Sequence, residues 1–149
     1  MKKRILITGS GGFLGSRLAE YFEGKAGFET VSVTHEELDI TDALAVSAFF
    51  RAIGPETVFH CAGLSNTWQC EQDPRASGRI NVQGTENIAR ACRENASRLI
   101  FMSSDQVYTG DGFYGSRNEG VRPCKSPVNV YGKDKRRAEE ASLTPGKGG

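Results

Sequence analysis

The sequence predicts an α/β fold, a doubly wound parallel sheet between two layers of helices, and three observations point there. Short apolar runs of strand character alternate with stretches whose apolar residues recur at helical spacing. The first of these strands, Arg4 to Thr8, enters a glycine turn and leaves as a helix. Eighteen glycines and 38% hydrophobic residues over 149 positions suit a turn-rich domain with a real core rather than a disordered chain.

Charge and cysteine usage exclude several classes. Nineteen basic against 18 acidic residues leave a net charge of +1, so nothing predicts a nucleic-acid partner. Met1-Lys2-Lys3-Arg4 imitates the start of a secretory signal, but the apolar run behind it meets glycine at once. Neither a signal peptide nor a membrane span is expected, which implies a cytoplasmic protein. Cys61, Cys70, Cys92 and Cys124 lie 9, 22 and 32 residues apart, which is not zinc-ligand spacing, and read as ordinary thiols. His35 and His60 stand alone, so no metal is expected.

In chain order, Phe13, Leu14, Arg17, Leu18, Tyr21 and Phe22 form the first helix, which should end near Gly24. The turn before it carries Gly9, Gly12 and Gly15 at three-residue spacing. In a first βαβ unit such a turn lets the backbone approach a pyrophosphate, whose charge faces the free N–H groups at the helix start. A Cβ there would block the approach or forbid the dihedrals. Phe28 to Val33 form the second strand, whose tip should meet an adenosine ribose. A carboxylate at that tip would favour NAD and an arginine NADP; neither is there, since Glu36 and Glu37 come slightly late. Thr41 or Asp42 caps a helix from Ala43 to Ile53, closed by Gly54-Pro55.

Thr57 onward is a third strand running into the small residues Cys61-Ala62-Gly63. A long helix is expected from Glu71 to Asn95, with Pro74 starting its regular part and Ile80, Val82, Ile88, Ala89, Ala91 and Cys92 facing inward. Arg98 to Ser103 is the next strand, for four or five parallel strands in all joined by right-handed crossovers. Tyr131 and Lys135 then share one helical face at i and i+4, with the charged run Lys133 to Glu140 otherwise a solvated surface. A tyrosine of ordinary pKa, about 10, donates slowly near neutral pH, and an adjacent ammonium would stabilise its phenolate. Tyr21 and Lys25 have the same spacing but no strand end nearby. One domain is expected over residues 1–142, with a flexible tail at 143–149.

Several motifs together resemble the extended short-chain dehydrogenase/reductase superfamily, the NAD-dependent epimerases and dehydratases. They are Thr8-Gly-x-x-Gly-x-x-Gly15, Asp39-Ile40, the Cys61-Ala62-Gly63 loop, Asn81-Val-Gln-Gly-Thr85, Ser103-Ser-Asp-Gln-Val-Tyr108 and Pro127-Val-Asn-Val-Tyr131-Gly-Lys-Asp-Lys135. The loop from Thr109 to Ser126, with Asp111-Gly112, and the short gap before Asp39 resemble the dTDP-4-dehydrorhamnose reductase branch, which includes a regulatory subunit of methionine adenosyltransferase. The resemblance implies a Rossmann-type sheet binding NAD or NADP through Gly9, Gly12, Phe13, Leu14, Gly15, Asp39, Ile40, Ala62, Gly63, Tyr131 and Lys135. It implies a catalytic set of Ser104, Tyr131 and Lys135, with Asn81 mainly structural. Ser104 would polarise a carbonyl, Tyr131 would exchange the proton, and Lys135 would hold the nicotinamide ribose and tune Tyr131.

The expected activity is reduction of a keto group on a nucleotide-activated sugar. The alternatives are a nucleotide-sugar epimerase or dehydratase, a non-catalytic dinucleotide-binding regulatory subunit, or an inactive cofactor-binding fragment. Superfamily members run to about twice this length. The chain is therefore expected to lack the later strands and the substrate domain, leaving an incomplete sugar-nucleotide site and a bare sheet edge open to homodimer pairing.

Overall fold

The computed structural model describes residues 2–109 and 127–143; the loop motif at Asp111-Gly112, Cys124 and the tail from residue 144 on lie outside the described residues. Four strands, β1 (Lys3–Thr8), β2 (Phe28–Val33), β3 (Thr57–His60) and β4 (Arg98–Phe101), form one parallel sheet in the order β2-β1-β3-β4. Leu6 lies opposite Val31 and Val58, and Val58 opposite Leu99.

Strand side chains alternate between faces, and the two faces are covered differently. Leu6, Val58 and the partly buried Leu99 join Val46, Phe50, Ile88 and Cys92 in the main core, beneath α2 (Ala43–Ile53) and α5 (Gly84–Glu94). On the other face α1 (Phe13–Phe22) sets the Phe22 ring 5.3 Å from Phe28 and 5.6 Å from Phe59. The helix α6 (Val130–Leu143) packs beside α5.

Local sequence explains the boundaries. Asp42 caps α2 by accepting from the N–H groups of Leu44 and Ala45 at 2.9 and 3.0 Å. Gly54 ends it in the left-handed region at φ 58°, where its N–H reaches the Phe50 carbonyl.

The expected single helix from Glu71 to Asn95 is in fact four segments. A short α3 (Thr67–Gln72), capped by Asn66, stops at Asp73, whose non-helical backbone and side chain start α4 (Pro74–Gly78). Pro74 has no N–H to continue α3. A π-helical turn, Arg79–Gln83, then joins α4 to α5. The third and fourth strands also end earlier than expected, at His60 and Phe101, leaving Cys61-Ala62-Gly63 and Met102-Ser103-Ser104 beyond the ladder.

Candidate functional site

The strand order reverses between β1 and β3, and a cleft of about 440 Å³ opens at their carboxyl ends. Gly9, Gly11, Gly12, Ala62, Gly63 and Ile40 are among the residues lining it. Gly9 sits at φ +72°, and a Cβ on it would lie 2.6 Å from the Ala62 nitrogen. One on Gly15 would lie 2.2 Å from the Gly9 carbonyl oxygen. The turn is thus packed as closely as backbone allows. The helix it opens has no side-chain cap at Gly12, so the first-turn N–H groups, those of Phe13, Leu14 and Gly15, have no intrahelical acceptors. Such a helix start attracts an anion. Phe13 is 84% exposed and Leu14 42%, at the mouth of this turn.

At the other end of the cleft Asp39 accepts from the N–H and hydroxyl of Thr41, both at 2.8 Å on Oδ1. Those bonds hold its carboxyl below the usual range and leave Oδ2 for other donors. Ile40 packs into the space that Gly84 leaves, where a Cβ would meet its side chain at 2.6 Å. Glu37 bends back to accept from the Thr34 N–H and hydroxyl at 2.8 and 3.1 Å.

The serine, tyrosine and lysine come together at the ends of β3 and β4. Ser104 caps a 3₁₀ turn, Asp105–Val107, accepting from the Gln106 N–H at 3.2 Å and donating to Asp105 Oδ1 at 3.2 Å, and its hydroxyl is near enough to act on the Tyr131 phenol. The neighbouring Ser103 points away, donating to Glu139 at 2.6 Å. Tyr131 is buried on the first turn of α6, and Gly132 after it lets α6 approach the Gln106 carbonyl. Lys135 is 8% exposed and donates to the Met102 carbonyl at 2.7 Å, with Nζ 4.7 Å from the Phe101 ring centroid.

The two side chains of this pair have shifted pKa values. Tyr131 has a raised pKa, because burial outweighs the Ser104 hydrogen bond, with smaller upward pushes from Cys70 and Asp105. Lys135 gives one of its three N–H groups to the Met102 carbonyl, and its Nζ stands 5.8 Å from the Tyr131 ring centroid. Burial lowers the pKa of Lys135 itself. The other Tyr-x-x-x-Lys pair is a surface contact, with the Lys25 ammonium 3.5 Å over the Tyr21 ring.

Thr34, His35 and Leu38, from the stretch after β2 expected at the adenosine ribose, also line the cleft, and so do Leu64 and Arg79, which escaped the sequence reading. Asn81, on the π-helical turn, pins the β3 loop by accepting from the Leu64 N–H at 2.8 Å and donating to its carbonyl at 2.9 Å. It also donates to Ser77, which donates to the buried Asp134 at 2.6 Å, tying that loop to α6. The wide π turn is the available signal, since such turns gather at functional sites, but no residue pattern announces one.

Comparisons with known proteins bear on the whole chain. A family model described as RmlD substrate binding domain matches residues 2–147. The chain is 33% identical over 143 residues to a dTDP-4-keto-6-deoxy-D-glucose reductase of Streptomyces niveus, covering 96% of this chain and 48% of that protein. It is 32% identical over 147 residues to methionine adenosyltransferase 2 subunit beta of Xenopus tropicalis, covering 95% and 43%. The solved dTDP-4-dehydrorhamnose reductase of Bacillus anthracis str. Ames, in complex with NADP, matches with a TM-score of 0.85 at 31% identity, over 95% of this chain and 49% of that one. The chain spans about half the length of the relatives it matches.

Proposed function

The chain belongs to the RmlD substrate binding domain family, and from that premise we propose that it is the dinucleotide-binding part of an oxidoreductase that reduces a keto group on a nucleotide-activated sugar. The observation that carries the reading is a glycine turn with no room for a Cβ at Gly9 or Gly15, opening on a cleft lined by Asp39, Ile40, Ala62 and Gly63, with Ser104, Tyr131 and Lys135 gathered beyond the ends of the neighbouring strands. Residues 1–142 form the binding unit in this reading.

NAD or NADP fits the residues present, since the uncapped start of α1 and the bare glycine backbone suit a pyrophosphate. When bound, the dinucleotide supplies a hydride. Phe13, Leu14 and Gly15 offer N–H groups to phosphate oxygens, and Asp39 offers its remaining oxygen to the exocyclic amine of adenine. Ile40 walls that end, and Ala62 and Gly63 leave room across the β3 end. Ser104 donates to the substrate carbonyl, and Tyr131 gives that oxygen its proton. Burial raises the pKa of Tyr131, so the phenol is protonated, as the proton donor of a reduction must be, but is a weaker acid than a free tyrosine. Lys135 holds the floor of the site through Met102 and reaches the nicotinamide ribose from there.

The test is consumption of reduced nicotinamide that depends on a dTDP-4-keto-6-deoxy sugar. Tyr131→Phe is expected to abolish it while leaving dinucleotide affinity nearly intact; turnover that survives in Tyr131→Phe contradicts the assignment. A second reading, a regulatory subunit, is favoured by the distance between Lys135 and Tyr131 and by the likeness to methionine adenosyltransferase 2 subunit beta. Co-purification with a second enzyme, without reductase activity in either cofactor, would select it.

A further inference from the structure

His60 is fully buried at the end of β3, and both of its ring nitrogens are engaged. Nδ1 lies 2.7 Å from the Thr8 hydroxyl and Nε2 3.1 Å from the Thr85 hydroxyl. Thr85 donates its one hydrogen to the Asn81 carbonyl at 2.7 Å, because a carbonyl can only accept. Its oxygen is then the acceptor toward His60, so Nε2 carries the ring proton and Nδ1 is bare. Thr8 must donate to that bare nitrogen, and its oxygen accepts the Ala62 N–H at 3.4 Å. Every proton in the chain Asn81–Thr85–His60–Thr8–Ala62 therefore has one direction.

The two ends of this chain border the cleft. Thr8 directly precedes Gly9, and Ala62 is the residue against which Gly9 packs with no room for a Cβ. The backbone adds a further tie, from the Cys61 N–H to the Thr8 carbonyl at 3.2 Å. The Thr8–Ala62 bond thus joins the start of the glycine turn on β1 to the small-residue end of β3.

We propose that neutral His60, held as the Nε2–H tautomer by Thr85, is a positioning residue that aims the Thr8 hydroxyl at the Ala62 N–H and so fixes the width of the dinucleotide cleft. The proposal rests on the dinucleotide reading above. His60 touches neither substrate nor cofactor in it and acts through Thr8. Burial and the nearby Lys135 ammonium push its pKa down to about 3, so the ring stays neutral across the working range.

Two substitutions split the positioning role from a merely structural one. His60→Asn keeps an acceptor where Nδ1 stands and loses the Thr85 bond; His60→Gln keeps a donor where Nε2 stands and loses the Thr8 bond. Thr8→Val and Thr8→Ser repeat the split from the other side, the serine restoring the hydroxyl. Affinities for NAD and NADP are measured by calorimetric titration of the whole chain, with thermal unfolding as the control for folding. Both His60 variants should lose stability, but only His60→Gln and Thr8→Val should bind the dinucleotide roughly tenfold more weakly, the scale of one buried hydrogen bond. Equal affinity in all four folded variants, or equal loss in His60→Asn and His60→Gln, overturns the proposal and leaves the dinucleotide reading standing. A wild-type chain that binds neither dinucleotide overturns both. Imidazole ¹⁵N shifts give a readout free of binding: a pyridine-type Nδ1 and pyrrole-type Nε2, constant from about pH 5 to 8, support the tautomer, and the reverse pattern refutes it.

Discussion

Gly9 and His60 stand on opposite sides of one contact, and they differ in how far a sequence reveals them. The glycines are legible because their spacing is local: Gly9, Gly12 and Gly15 mark a turn whatever lies elsewhere, and the structure finds backbone within 2.2 to 2.6 Å of a Cβ at two of them. His60 reads as an isolated histidine because its partners, Thr8 and Thr85, lie 52 and 25 residues away. Lys135 was legible by position but not by partner, since nothing local shows its ammonium turning to Met102. His60 also sets a pH dependence. Its pKa falls from 6.5 to about 3 on folding, so between those values the unfolded chain binds the extra proton. Its contribution is fully present above pH 6.5 and is lost as pH falls, at about 1.4 kcal/mol per unit. Asp39 and Glu37, also held low, lose theirs in the same direction but within the carboxylate range. Urea unfolding between pH 6.5 and 5 should therefore show a slope shallower by about one proton in His60→Asn than in the wild type. Identical slopes would contradict a neutral, buried His60.

The elements whose bounds depend on local chemistry came through the sequence nearly intact. The second helix begins at Asp42 and ends at Gly54 because a carboxylate can cap two N–H groups and a glycine can turn left-handed. Asp42→Ala should lower stability by about 1 kcal/mol, read by chemical denaturation, with dinucleotide affinity unchanged because Asp42 does not line the cleft. A loss of affinity would tie this cap to the site. The stretch from Glu71 to Asn95 was not legible in the same way. Its apolar residues keep a helical period, so it reads as one helix, whereas the break at Asp73 and the π turn answer to tertiary demands. Those demands are the Asn81 clamp on Leu64 and the Ser77–Asp134 bond to α6.

Across the whole molecule, alternating strands and helices predicted a parallel doubly wound sheet, and the order β2-β1-β3-β4 supplies its reversal between β1 and β3. The order itself was not legible, because crossover handedness alone does not say on which side of β1 the third strand lies. Strand order matters to function: it places the glycine turn and the Ala62–Gly63 loop side by side, with Ser104, Tyr131 and Lys135 one strand further along. The solved NADP-bound relative shares the fold, with a TM-score of 0.85. The central claim, that this cleft takes a dinucleotide, is tested most directly by calorimetric titration of the chain with NADP and NAD, beside Gly12→Ala. That methyl group meets the Gly9 carbonyl oxygen at 3.3 Å, a tight contact that a shift of a few tenths of an ångström relieves, whereas it stands in the way of an approaching pyrophosphate. The account predicts saturable one-to-one binding by the wild type and its loss in Gly12→Ala with thermal unfolding little changed. No saturable binding of either dinucleotide by the wild type, or binding undiminished in Gly12→Ala, would contradict it.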